Sequence, residues 1–210
     1  MYLSRVELDT NRRSTMAALT SLQRLHGAVE SAFSGERKRR LWRLDRLGEK
    51  MYLLIVSEDL PTDLAHIVAQ FGTGREAETK CYDALFERLK AGDQWHFRLT
   101  ANPVHSRPDP KHPGERGMVD AHCSERYQRK WLIDRAEKNG FSLLESDFIV
   151  TETKWLRFKK QGKDTVTLLS VTYEGILSIV DPKAFQQLLC RGIGKGKAYG
   201  LGMMTVVQGG

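Results

Sequence analysis

Hydrophobic positions along this 210-residue chain change their spacing repeatedly, and the changes outline an ordered series of elements. Over residues 1–8, Leu3, Val6 and Leu8 are apolar while Arg5 and Glu7 are polar, which predicts a strand. From Ser14 or Ser21, either suited to cap a helix, apolar residues recur at Leu19, Leu22, Leu25, Val29 and Phe33, and Gly35 ends the run. Two strand-like runs, 41–47 and 51–56, are joined at Gly48-Glu49 as a hairpin. Thr62 is placed to cap a short helix bearing Leu64, Ile67, Val68 and Phe71, which stops at Gly72-Thr73-Gly74. Residues 82–89 suit either a strand or a helix and are assigned as a fourth strand because the hairpin needs an outer partner, giving the order βαββαβ.

The second half repeats that order. Residues 95–101 alternate as a strand, and a helix capped by Ser124 carries Tyr127, Trp131, Leu132 and Ala136 up to the stop at Asn139-Gly140. Runs 148–158 and 165–173 form a second hairpin, Asp181-Pro182 opens a further helix, and 203–207 reads as the last strand. Between them, residues 105–117 hold Pro108, Pro110 and Pro113 with no period, and a mobile loop is expected there. The fold class is therefore α+β, with two tandem ferredoxin-like (RRM-like) βαββαβ units, 1–90 and 94–210, although no repeat is visible residue by residue. RNA-recognition modules share this architecture, but their stacking-aromatic signature is missing here, so binding on a sheet face is not expected.

Charge adds a direction. With 33 Lys+Arg against 26 Asp+Glu the formal net charge is +7, which favours polyanionic partners. Cys81, Cys123 and Cys190 are scattered without disulfide-framework or metal-type spacing and read as free thiols of a reducing compartment. The first residues carry charge where a signal peptide would need an apolar run, and no stretch approaches a membrane span, so a cytoplasmic location with no membrane partner is expected.

The densest motif lies between the last helix and the last strand. Gly192, Gly194, Gly196, Gly200 and Gly202 are interleaved with Arg191, Lys195 and Lys197, a composition suited to bringing backbone and positive charge close to phosphate. Its context rules out the nucleotide folds. A dinucleotide fingerprint follows a strand and opens a helix, and the NTPase phosphate loop needs Gly where this chain has Arg191 and Ser or Thr where it has Ala198.

Among six histidines, His66, His96, His105, His112 and His122 show no ligand spacing, and neither a metal nor another cofactor is expected. His26 falls within the apolar arc of Leu22, Val29 and Phe33, so a hydrogen-bonded core histidine is one reading. The other is chemical. Arg24 precedes it, and the basic run Arg37, Lys38, Arg39 and Arg40 follows the same helix. An imidazole with an ordinary pKa of about 6.5 can take or give a proton near neutrality, which suits acid–base cleavage of RNA beside cations. Arg157, Lys159, Lys160 and Lys163 cluster at the second hairpin's tip and are candidates for phosphate contact.

Taken together, Met1-Tyr-Leu-Ser-Arg-Val, the Leu25-His26 step, Leu41-Trp-Arg-Leu, Phe97-Arg-Leu-Thr-Ala-Asn-Pro, Tyr173-Glu-Gly-Ile-Leu and the glycine-rich run from Arg191 to Gly202 resemble the CasE family from end to end. These are the endoribonucleases that process CRISPR RNA in the type I-E Cascade complex. The resemblance implies a tandem ferredoxin-like protein that binds the stem-loop of a CRISPR repeat and cuts at the 3′ base of the stem without metal. The 2′-hydroxyl attacks the adjacent phosphate, leaving a 2′,3′-cyclic phosphate and a 5′-hydroxyl, and the protein stays with its product among the other Cascade subunits. It implies that His26 transfers the proton and that Arg157, Lys159 and Lys160 touch the stem. Members often carry tyrosine three residues before the histidine; here Gln23 stands there and is a candidate to hold the 2′-hydroxyl, with Arg37 and Lys38 as candidates to stabilise the phosphorane. The alternative is a non-catalytic subunit that holds the stem-loop in a ribonucleoprotein.

Overall fold

The computed structural model describes residues 1–36, 38–110, 117–159 and 165–209. The first half builds β1 (Tyr2–Leu8), α1 (Arg13–Thr20), α2 (Leu22–Ser31), β2 (Arg40–Leu47), β3 (Lys50–Ser57), α3 (Leu64–Phe71), β4 (Glu78–Cys81) and the single turn α4 (Asp83–Phe86). Its four strands pair antiparallel in the order β2-β3-β1-β4, the order that two right-handed βαβ crossovers produce. The period-2 pattern is read out as two faces. Trp42 and Ile55 pair across β2 and β3 and join Val6 and Leu53 against Leu22, Leu25, Val29 and Phe71 of the helices. One residue earlier, Leu41 and Val56 pair on the opposite face and pack with Tyr82 and Met203, the latter from the other half of the chain.

Three expectations change here. The first long helix is two helices, because Ser21 leaves helical geometry at φ −132° and its N–H closes α1 on the Ala18 carbonyl before α2 begins. The cap of α3 is Asp63, whose carboxylate accepts from the His66 N–H at 2.9 Å, while the Thr62 hydroxyl donates to the Ala32 carbonyl. Residues 82–89 are not a strand. Tyr82, Leu85, Phe86 and Leu89 are spaced three and four apart, and they form a helical turn with Tyr82 packed edge-on to Phe86 at 5.7 Å. The outer strand is Glu78–Cys81, exposed along its whole length and tied to β1 by a bidentate Arg5–Glu78 pair at 2.8 and 2.9 Å.

The second half builds β5 (Gln94–Ala101), β6 (Val104–Arg107), β7 (Met118–Ala121), α5 (Glu125–Ala136), β8 (Phe141–Ser142), β9 (Phe148–Lys159), β10 (Thr165–Ile179), α6 (Pro182–Arg191) and β11 (Met203–Gln208). The sheet runs β11-β5-β10, and β9 and β8 pair with successive stretches of β10 on its far edge. Trp95, Phe97 and Leu99 meet Trp131 and Leu132 of α5 and Phe185 and Leu188 of α6 in a second core. Asp181 caps α6 as its sequence predicts, accepting from the Lys183 and Ala184 N–H groups. Ser124 precedes α5 without a side-chain capping bond. The flanks of the expected loop after β5 pair as a two-stranded ribbon from Val104↔Ala121 to Arg107↔Met118, and residues 111–116 of that loop lie outside the described residues. The result is a tandem ferredoxin-like fold.

The two halves are stitched through a buried charge. Arg43 is 1% exposed and bidentate with Asp45 at 2.7 Å in both contacts, and it also donates to the Arg98 and Met203 carbonyls and the Thr205 hydroxyl. All its donor directions toward the second sheet are met, as a buried guanidinium requires. β9 crosses the seam too, burying Phe158 in the core of the first half.

Candidate active site

Helix α2 presents His26 half-buried on the side turned toward the C-terminal loop. A cleft of about 300 Å³ opens there, lined by His26 and Glu30 of α2, Lys38, Arg39 and Arg40 leading into β2, and Lys197 and Ala198 of the glycine-rich loop. His26 and Glu30 share a wall because residues four apart on a helix lie one above the other. The cleft therefore joins the second helix of the chain to its last loop.

Its cations differ in state. Arg40 is buried, ion-paired to Glu30 at 3.0 Å and laid over the Phe33 ring at 4.4 Å, so it braces the wall. Lys38 reaches Asp59 at 2.9 Å, and that hydrogen bond holds its ammonium above the ordinary lysine range. Arg39 is exposed, and Lys197 is half-buried with its pKa pushed down, first by burial and then by the Arg39 charge. Among the described residues no carboxylate pairs with Arg39 or Lys197. The cleft thus keeps positive charge that the described residues do not pair off, the condition for holding a phosphodiester.

Lys197 reaches this place because of the glycines. All five loop glycines have positive φ. At Gly200 (φ +77°) a Cβ would stand 2.8 Å from the Trp42 ring, and at Gly202 (φ +87°) 2.3 Å from the Ile193 carbonyl. Between Gly196 and Gly200 the chain makes one 3₁₀ turn, Lys197–Tyr199, and the Tyr199 ring rests on Phe158 at 4.7 Å. The expectation that this loop brings its backbone as well as its charge to phosphate is corrected in part: Ile193 N–H donates to the Gly202 carbonyl, Gly202 N–H to that of Thr100 and Tyr199 N–H to that of Gly196. These amides hold the loop to itself and to β5, and the loop's offer to an anion is made by side chains. Gly192 and Gly194 serve the same close packing, against Leu41 and Trp131.

The remaining candidates spread over the surface. Arg24, two residues before His26 and so on another side of α2, faces a groove with Ser14, His66 and Gln70. Gln23 is half-buried one turn before His26 and does not line the cleft. Arg157 and Lys159 point outward on β9, alternating with buried Phe158. Arg191 is exposed at the end of α6, and Lys195 is exposed beside His105, Trp131 and Arg135, away from Lys197. Arg37, Lys160 and Lys163 lie outside the described residues. Trp155, 55% exposed on the same face as Arg157 and Lys159, is a candidate that sequence reasoning passed over, although the alternation through 155–159 marks it.

Other cavities differ in balance. One of about 700 Å³ between the sheets is lined by Arg43, Arg98 and Lys154, paired with Asp45, Glu174 and Glu152 respectively, and by exposed Arg46, which has no carboxylate partner among the described residues. A second, near 790 Å³, holds His122 stacked between His105 at 4.6 Å and Tyr127 at 5.9 Å; burial pushes the His122 pKa down. No three His, Cys, Asp or Glu side chains cluster as metal ligands among the described residues, and no described helix is long and apolar enough to cross a membrane.

Known proteins share this arrangement. A family model described as CRISPR associated protein matches residues 1–208. The CRISPR-associated endoribonuclease Cse3 of Thermus thermophilus is 31% identical over 219 residues, covering 98% of this chain and 99% of the relative. Thermus thermophilus Cse3 bound to an RNA representing a pre-cleavage complex superposes with a TM-score of 0.82 at 26% identity, over 98% of each chain. A chain of a CRISPR RNA-guided surveillance complex, pre-nicking, shares the fold at a TM-score of 0.70 and 21% identity, covering 99% of this chain and all of that one.

Proposed function

The chain belongs to the CRISPR-associated family of the Cse3 (CasE) endoribonucleases, and from that premise we propose that it cuts CRISPR precursor RNA in the cleft around His26. It binds the repeat's stem-loop, cleaves at the 3′ base of the stem, and remains on the processed RNA as a subunit of Cascade, acting in the cytoplasm. The observation that carries this reading is the joining of one half-buried histidine, in a single small cleft, with Arg39 and Lys197, which have no carboxylate partner among the described residues.

The chemistry follows from those groups. The 2′-hydroxyl attacks the neighbouring phosphorus in line with the 5′-oxygen, and His26 takes part in the proton transfer. Negative charge on the phosphorane's equatorial oxygens is met by Arg39 and Lys38, placed beforehand by β2 and by Asp59. Products are a 2′,3′-cyclic phosphate and a 5′-hydroxyl. Arg157 and Lys159 line the outer face of β9 and contact the stem's phosphates, and Trp155 gives that face an aromatic surface on which a base can stack.

The test is end chemistry. Repeat RNA incubated with the protein in excess EDTA is expected to give one cut at the 3′ base of the stem, with a 5′-hydroxyl on the downstream piece and a cyclic phosphate upstream. A 5′-phosphate product, or intact RNA that is nevertheless tightly bound, would replace this reading with a metal-dependent nuclease or a holding subunit.

A further inference from the structure

We propose that Lys197 is the general acid of the reaction, delivering its ammonium proton to the departing 5′-oxygen while His26 accepts the proton of the attacking 2′-hydroxyl. The inference rests on the endoribonuclease reading above and assigns the second half of its proton traffic.

Four cations line the cleft among the described residues, and three are unsuited to giving up a proton. Arg39 and Arg40 are guanidinium groups, which stay charged across the whole working range. Lys38 is held by Asp59 at 2.9 Å and stabilised in its charged form. Lys197 alone combines a releasable proton, a place on the cleft wall and no carboxylate partner. It comes from a different element than His26, the turn Lys197–Tyr199 rather than α2. An in-line displacement needs that separation, because the entering and leaving oxygens lie on opposite sides of phosphorus and one side chain cannot serve both at once.

The turn is also built to hold still. Gly196 and Gly200 bracket it in left-handed geometry, Gly200 lies against Trp42, and Tyr199 is packed on Phe158. A lysine aimed by so much packing loses less freedom on meeting its target than one on a surface helix. Burial and Arg39 make its proton easier to release.

The step balances. The 2′-oxygen–phosphorus bond forms and the phosphorus–5′-oxygen bond breaks; the 2′-hydroxyl proton passes to His26 and the Lys197 proton to the 5′-oxygen. Proton exchange with water then restores both groups.

The pH consequence has a definite sign. Lys197 must be protonated to act, so the rate falls as pH rises through its pKa, which lies below the ordinary lysine value. The groups facing it are His26 and Glu30 from α2, with Lys38, Arg39 and Arg40 from the segment entering β2. Of these, Arg39 favours deprotonation.

A leaving-group substitution tests the assignment. Single-turnover cleavage is measured with repeat RNA bearing oxygen, or sulfur in place of the bridging 5′-oxygen, at the scissile phosphate; a thiolate leaves without protonation. Lys197→Met is expected to slow the oxygen substrate about 10²-fold or more, to cut the sulfur substrate within a few-fold of wild type, and to lose the alkaline limb of the pH profile. His26→Ala is expected to stay slow on both. Equal slowing of both substrates by Lys197→Met would reduce Lys197 to a charge contact, and rescue of His26→Ala by sulfur would make His26 the acid; either result overturns the proposal. Wild type that cuts neither RNA would sink the endoribonuclease reading itself, and the proposal with it.

Discussion

The His26 cleft and the Arg43 seam are made of similar parts, and they differ in where the charge ends up. At the seam, Arg43 is almost fully buried, locked to Asp45, and its other donors end on carbonyls and a hydroxyl of the second sheet. In the neighbouring cavity Arg98 and Lys154 are matched by Glu174 and Glu152. At the cleft, Glu30 is engaged with Arg40, and Arg39 and Lys197 face the opening with no carboxylate partner among the described residues. Paired cations hold the two halves together; on the proposed reading, the unpaired cations of the His26 cleft are left for the RNA phosphate. Charge at a junction is thus informative only after its partners are counted.

The contrast can be broken from either side. Arg43→Met should produce the largest effect on stability, about 3–5 kcal/mol, because it takes the bidentate partner from part-buried Asp45, leaving only Arg98 at 3.5 Å, and strands three further acceptors at the seam. Denaturant titration checks this, and a loss under about 1 kcal/mol would mean that water replaces the lost donors. Gly200→Ala comes next at about 1–3 kcal/mol, since alanine must take φ +77° with its methyl driven against Trp42. The same variant should slow cleavage by displacing Lys197, so a normal rate in a destabilised protein would uncouple the loop from the cleft. Arg39→Gln should leave stability within about 0.5 kcal/mol yet weaken RNA binding, the reverse of Arg43→Met. Smallest is Lys159→Gln, which should flatten the slope of log K against log salt by about 0.7–0.9 if its ammonium meets one phosphate. An unchanged slope would remove β9 from the interface.

Much of this molecule can be read from residue spacing. Strands rich in apolar residues and joined by a short turn, such as β2 and β3, and caps with an unambiguous residue, such as Asp181, appear where their sequences put them. What escapes reading is set by tertiary context. β4 is polar and exposed throughout and carries no periodic signal, whereas 82–89 is too short for its three- and four-residue spacing to separate a helical turn from a strand. His26 is legible as a histidine on a helix followed by a basic run. That Lys197 shares its cleft is not, because 171 positions of chain separate them and only the packing of the glycine turn on α2 unites them. Arg43 was equally hidden: its alternating place in a strand says nothing of the carbonyls of β5 and β11 that await it.

The most direct test of the central claim compares wild type and His26→Ala under single turnover, with protein in excess over repeat RNA and EDTA present, measuring affinity and cleavage rate on the same samples. The account predicts unchanged stem-loop affinity with cleavage slowed about 10²–10⁴-fold. Cleavage by His26→Ala at the wild-type rate would contradict it.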